Sequence, residues 1–136
     1  MQHRFTDRIT IHKAFGEIPK IGCYPAQLNQ AIMNRLTNAE DAIEGKGDIW
    51  METWLEESVS GENAVKISVR DSGKGIPPDV LPKIFDPFFT TKPIGSGPGL
   101  GLATSHQIID RHNGKIEVTS EVGKGTEFVI TLPVKT

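Results

Sequence analysis

Apolar positions along this chain first alternate, then recur at helical spacing, then alternate again, and the sequence of patterns predicts its elements. "RITIHKAF" is strand-like in its β-branched residues, and a second short strand is expected at "KIGCY", just ahead of "YPAQ", where Pro25 can sit in the first turn of a helix. From Gln27 to Glu44 the residues Leu28, Ala31, Ile32, Leu36, Ala39, Ala42 and Ile43 recur with helical period until "GKG" ends the run. "DIWMETWLEE" and "AVKISVR" alternate around "SVSGEN" and read as long central strands of a hairpin. "PPDVLPKIF" suits a short proline-opened helix, whereas "DPFFTTKPIGSGPG" is too rich in Gly, Pro and Thr for a regular element. "LGLATSHQIIDRHNG" is helical with Gly114 as its expected cap, and "KIEVTSE" and "TEFVITLPV" are strands joined by "VGKG". The expected fold class is α/β: a two-layer sandwich in which a mixed, mainly antiparallel sheet is covered on one face by three helices.

Composition narrows this further. At 136 residues and 37% hydrophobic, the chain suits one domain with one core, and no repeat or low-complexity tract divides it. No apolar run approaches the roughly 20 residues that span a bilayer, and "MQHRFTDRIT" has no signal-peptide character, so the chain reads as cytoplasmic, without direct membrane contact. A single cysteine, Cys23, excludes an internal disulfide and a cysteine-rich metal site. A net charge of −2 provides no basic face for nucleic acid.

Four fragments carry candidate chemistry. Asn34 and Asn38 are four apart and share a helix face. They read either as solvated surface residues or as hard, neutral oxygen donors suited to Mg²⁺ beside phosphate. "RDSGKGIPPDV" ends a strand in Asp71 and then turns on Gly73 and Gly75. This is either an ordinary turn or a place where an acceptor-only carboxylate takes the exocyclic amine of adenine and repels the carbonyl of guanine. "GSGPGLGLATS" brings glycines to a helix start, where free N–H groups favour an anion; it is neither a Walker loop nor a Rossmann fingerprint. "GKGTEF" could be no more than a hairpin turn.

Taken in order, "NRLTNAEDAI", "DSGKGI", "IFDPFFTTK", "GPGLGLA" and "GKGTEF" resemble the asparagine, first glycine, phenylalanine, second glycine and third glycine boxes of the sensor histidine kinases, over residues 8 to 134. The "DPFFTTK" form is most similar to the branch that includes nitrogen-regulation-type kinases. The resemblance implies the Bergerat ATP-binding fold, shared with gyrase, the heat-shock ninety chaperones and mismatch-repair ATPases, and residues 1–136 forming one ATP-binding catalytic domain. It implies Asp71 as the adenine reader, Gly73 and Gly75 beside the base, Asn38 with Asn34 holding Mg²⁺, and Thr126 beneath the adenine pocket. Gly97, Gly99 and Gly101 would contact phosphates, residues from about Asp86 to Pro98 would form a lid over ATP, and Lys92 would reach the γ-phosphate. Asp41, Ile76, Phe85, Leu100 and Leu102 would complete the nucleotide-binding surface.

Asn34 stands where hydrolysing relatives resemble "E-x-x-x-N", and an amide cannot act as a general base. The implied activity is therefore transfer of the γ-phosphoryl group to a histidine on a separate helical dimerisation domain of the same kinase, with a response regulator receiver domain downstream. His3, His12, His106 and His112 lie in no stretch resembling "H-E-[LIF]-x-x-P", so the helical and sensor domains are expected outside this chain, and the isolated domain is expected to be a monomer. Three positions depart from the pattern. Asp41 brings an acid toward the triphosphate, Pro98 removes a backbone donor from the glycine loop, and Arg35, where the family usually has an apolar residue, is read as reaching solvent. A degenerate nucleotide-sensing or docking module is the alternative, with an independent ATPase behind it.

Overall fold

A computed structural model describes residues 8–17, 25–59, 61–85 and 101–134. Strand β1 (Ile9–Phe15) leads through helix α1 (Pro25–Ala42) to β2 (Gly47–Glu56), and β2 pairs parallel with β1, as a crossover through a helix allows. A hairpin then carries the chain into β3 (Ala64–Asp71). Helix α2 (Gly101–Arg111) and the hairpin β4 (Lys115–Glu121) and β5 (Gly125–Pro133) complete the described elements. The sheet has five strands in the order β1-β2-β3-β5-β4, antiparallel except at β1. The mixed, mainly antiparallel sheet matches the sequence reading; "KIGCY" lies outside the described residues.

Register determines which side chains meet the helices. Ile49, Asp71 and Thr126 lie side by side across β2, β3 and β5, as do Met51, Val69 and Phe128, and the two-residue period keeps both rows on one face. On that face Ile9, Ile49 and Val69 pack with Leu36 and Ala39 of α1 and with Ile43 just beyond its end. Ile130 and Leu132 pack with Ala31 of α1 and with Ile108 and Ile109 of α2. Both helices therefore cover the same face, and α1 belongs to both clusters. Each buried Leu or Ile side chain contributes about 1.5–3 kcal/mol. The opposite face is polar and aromatic: Trp50 stacks on His12 with ring centroids 5.4 Å apart, and the Arg70 guanidinium lies 4.0 Å over the Trp50 ring.

Two local expectations are corrected. "PPDVLPKIF" forms no α-helix: Leu81–Lys83 is a single 3₁₀ turn, with Lys83 N–H donating to Val80 O at 2.8 Å. Pro77, Pro78 and Pro82 supply no N–H groups, so an α-helical ladder cannot be sustained across them. The described residues thus contain two α-helices rather than three. At the end of α2 the left-handed residue is Asn113 (φ 59°), not Gly114. Gly114 N–H donates to Ile109 O and Asn113 N–H to Asp110 O, both at 3.0 Å, the pairing of a Schellman motif with asparagine in the left-handed place. Gly114 is needed for a different reason: a Cβ there would run into Thr131 O as the chain passes beside β5.

Candidate functional site

Asp71 closes β3 on the helix-covered face, between Ile49 and Thr126, and is 1% exposed. Its Oδ1 accepts the Gly73 N–H at 2.8 Å, which ties the carboxylate to the turn that follows. Its Oδ2 lies 2.8 Å from Arg35 Nη2. Arg35 is 2% exposed, contrary to the reading that sent it to solvent. Its position on α1 directs it at the sheet, and the long side chain finds acceptors there. Nη2 donates to both Val69 O and Thr126 O at 2.9 Å, Nε donates to Val69 O at 3.3 Å, and Nη1 donates to Asn38 Oδ1 at 3.4 Å. The guanidinium also sits 4.3 Å from the centroid of Phe128.

These bonds determine the character of the Arg35–Asp71 contact. Nη2 is shared among three acceptors: the carbonyls of Val69 and Thr126 and, in a buried ion pair at 2.8 Å, Asp71 Oδ2. Burial lowers the Arg35 pKa from its ordinary value, while the charge of Asp71, its side-chain hydrogen bond and, less strongly, the charge of Glu127 oppose the shift. An arginine starts so high that it stays protonated.

The asparagines divide their contacts. Asn34 Nδ2 donates to Ser105 Oγ of α2 at 3.3 Å, and its Oδ1 accepts from Gln30 Nε2 at 2.8 Å. Asn34 thus bridges the two helices, while Asn38 faces Arg35. Both are half-buried, and Asp41 is exposed one turn further along α1.

The glycines are explained by close approaches of the chain to itself. A Cβ on Gly73 would lie 2.6 Å from Ala42 O at the end of α1. Gly75 has φ +79°, and its Cβ would run into Glu121 O; that of Gly125, at φ +124°, would run into Asp71 O. The directions in which side chains would leave Gly73 and Gly75 are therefore filled by protein. Gly125, in the third glycine motif, lets β5 approach the backbone of Asp71.

Thr126 is buried, and its Oγ1 lies 2.8 Å from Ser120 Oγ. Ser120 Oγ donates to Gly125 O at 3.1 Å and accepts the Ile76 N–H at 2.7 Å. One hydroxyl thereby joins the turn after Asp71 to the strand beneath it. Phe85 is half-buried, with its ring 5.2 Å from that of His106 and edge-on to Phe128 at 6.2 Å. Gly101 is the first residue of α2 and Leu102 is half-buried behind it, whereas Lys92, Gly97, Gly99, Leu100 and the expected lid lie outside the described residues. Of the expected site residues, the structure assembles Asn38, Asp71 and Thr126 around Arg35, with Asn34 held to the side. Arg35 is singled out by the sequence but assigned to solvent, and Ser120 is missed as a site residue. Ser120 had a signal, since it continues the inward alternation of Ile116 and Val118 with a polar residue.

A family model described as "Histidine kinase-, DNA gyrase B-, and HSP90-like ATPase" matches residues 23–136. The chain belongs to this family. Within the ATPase family, sensor kinases are among its relatives. It is 45% identical over 134 residues to the sensor histidine kinase ZraS of Escherichia coli (strain K12), covering 98% of this chain and 26% of that protein. It is 43% identical over 119 residues to Sporulation kinase E of Bacillus subtilis (strain 168), covering 88% of this chain and 15% of that protein. It therefore spans about a quarter of the first relative and less of the second. Among solved structures, the mycobacterial sensor histidine kinase MprB superposes with a TM-score of 0.80 at 26% identity, over 97% of this chain and 85% of that one. Full-length ShkA in complex with AMPPNP superposes at 0.77 with 29% identity, over 94% of this chain and 26% of that one. The likeness is to the catalytic ATPase domain of two-component sensor histidine kinases, as the ordered motifs implied.

Proposed function

We propose that this ATPase-family domain binds Mg-ATP and presents the γ-phosphate to a histidine on a helical domain of the same full-length kinase, which in turn serves a response regulator. The observation that carries this reading is Asp71: a carboxylate fixed at a strand end, with Oδ1 on the Gly73 N–H and Oδ2 beside Arg35, just ahead of the turn on Gly73 and Gly75. An acceptor-only carboxylate in that place suits the exocyclic amine of adenine, and Thr126 adds a hydroxyl on the same face. The AMPPNP complex of ShkA supports a nucleotide at this fold.

The donors suit Mg²⁺ only in company with phosphate. Asn34 and Asn38 offer neutral carboxamide oxygens, and no group of three or more His, Cys, Asp or Glu among the described residues could hold an ion alone. When bound, the ion would neutralise charge on the phosphates, and Asn38, with help from Asn34, would hold it. In the transfer, a nitrogen of the acceptor imidazole bonds to the γ-phosphorus, the bond from that phosphorus to the β–γ bridging oxygen breaks, and ADP leaves. Asn34 has no proton affinity with which to activate water, and it is engaged with Ser105 and Gln30, so hydrolysis is disfavoured. From the "DPFFTTK" motif we read the kinase as one of the nitrogen-regulation-type branch. No helix among the described residues is long and apolar enough to cross a membrane, and we assign the domain to the cytoplasm.

Incubation with γ-labelled ATP tests the reading. The expected result is bound ATP with neither steady phosphate release nor acid-labile phosphate on the chain. Steady release abolished in Asp71→Asn would make the domain an independent ATPase, and stoichiometric acid-labile label would overturn the need for a separate acceptor domain.

A further inference from the structure

Strand β2 turns every second residue toward the face away from the helices: Asp48, Trp50, Glu52, Trp54 and Glu56. This row alternates acid with indole, contains no base and holds both tryptophans of the chain. Packing on the helices does not account for it, since Ile49 and Met51 meet α1 from the other face.

The two tryptophans differ in what surrounds them. Trp50 is flanked by both of its cross-strand neighbours: His12 of β1 stacks on it, and the Arg70 guanidinium of β3 lies 4.0 Å over its ring. The adjacent Asp48 is engaged as well, with Oδ1 2.9 Å from His12 Nε2. Trp54 has neither kind of partner. On the β1 side Gly16 follows the last paired residue and brings no side chain. On the β3 side its pair Lys66 is largely buried and donates to Thr131 Oγ1 at 2.9 Å. Trp54 is 36% exposed, with no cation and no second ring over its indole among the described residues. Glu52 beside it is exposed and has no partner among the described residues, and Glu56 on its other side comes no closer than 3.7 Å to Lys66 Nζ.

We propose that the open face of β2 is a docking surface for an arginine-bearing basic segment of a partner protein, with one guanidinium seated on Trp54 between Glu52 and Glu56. The contact of Arg70 with Trp50 is the template, because it shows this same face holding a guanidinium on an indole. Residues two apart along a strand stand about 7 Å from one another, so a guanidinium over the Trp54 ring can also meet a carboxylate. Charge selects the partner. Three carboxylates in a row repel phosphate, which opposes nucleic acid and an anionic membrane surface. A second copy of the face would bring the same acids and indoles and no base. Arginine suits the place better than lysine, since its planar group stacks on an aromatic face while its N–H groups pair with a carboxylate. Asp71 and Thr126 lie on the opposite face, so a docked segment leaves the nucleotide site open and the inference does not depend on the nucleotide reading.

The test is titration of the isotope-labelled chain with a capped peptide of alternating arginine and serine, and with its lysine counterpart, followed through the backbone amides of β2 and the two indole N–H signals. Wild type is compared with Trp54→Ala, with Glu52→Gln/Glu56→Gln and, as a control that removes two exposed acids elsewhere, with Glu117→Gln/Glu121→Gln of β4. A circular dichroism melt checks the fold of each. The Trp54 indole signal should shift more than that of Trp50, and the arginine peptide should bind at least about threefold tighter than the lysine peptide. Trp54→Ala and Glu52→Gln/Glu56→Gln should each weaken binding by at least about threefold, and the control by less than about twofold. Unchanged binding by Trp54→Ala, or an equal loss in the control, would reduce the effect to general acidity and overturn the inference, as would the absence of a shift at Trp54 up to about 1 mM peptide. Dimerisation of wild type that is lost in Trp54→Ala, read by sedimentation, would assign the face to a second copy and overturn it as well.

Discussion

A single side chain, Arg35, gives Asp71 a buried partner: its Nη2 lies 2.8 Å from the carboxylate Oδ2, and both residues are buried. The sequence could not show this, because a charged residue within a helix is by default solvated, and its partner lies on another element, far along the chain. Asp71 itself was legible, since a strand ending in an acid ahead of two glycines is a local pattern. Ser120 shows the same limit: its three contacts join Ile76, Gly125 and Thr126, which come together only when β4 folds against β5. Ser120→Ala should leave the Ile76 N–H and the Thr126 hydroxyl without this partner and destabilise the domain by about 1–3 kcal/mol in urea unfolding. The proposed adenine site should loosen with it, because Thr126 lies beside Asp71 across the sheet.

At the scale of elements, the hydrophobic pattern revealed what depends on periodicity and missed what depends on a specific approach. The course of α1 was readable from Leu28 to Ala42 because one stripe of that helix is apolar, and "AVKISVR" was readable because it alternates. The end of α2 was located, but its cap was assigned to the wrong residue, since glycine is the default at a left-handed position and only the contact with Thr131 shows that Gly114 is required elsewhere. Two substitutions separate these roles. Asn113→Gly relieves the left-handed strain and should be neutral or stabilising by less than about 1 kcal/mol. Gly114→Ala places a methyl against Thr131 O and should destabilise the domain by at least about 1 kcal/mol, as read from paired denaturation curves. Ile109 is 1% exposed in the cluster shared by α1, α2 and β5. Its replacement by alanine should cost about 2–5 kcal/mol, and a loss well below that range would show that the helices are not packed as described.

For the whole molecule, the topology concentrates the site at the centre of the sheet. β3 and β5 are flanked by β2 and β4, and they carry Asp71 and Thr126 under the cover of α1. The outermost strands, β1 and β4, have a pairing partner on only one side among the described residues. Amide exchange should therefore be slowest in β3 and β5 and faster in β1; fast exchange throughout β3 would contradict this arrangement. The α/β class and mainly antiparallel sheet followed from the alternation of patterns, whereas the parallel pairing of β1 with β2 did not, because pairing partners are not encoded in the period of a strand. The central claim is that this core positions Asp71 to receive adenine, and the most direct test is calorimetric titration with a non-hydrolysable ATP analogue, with and without Mg²⁺, for wild type and Asp71→Asn. The account predicts binding by wild type that strengthens with Mg²⁺ and weakens at least about tenfold in Asp71→Asn. Equal binding by both proteins, or no heat from wild type up to about 1 mM nucleotide, would contradict it.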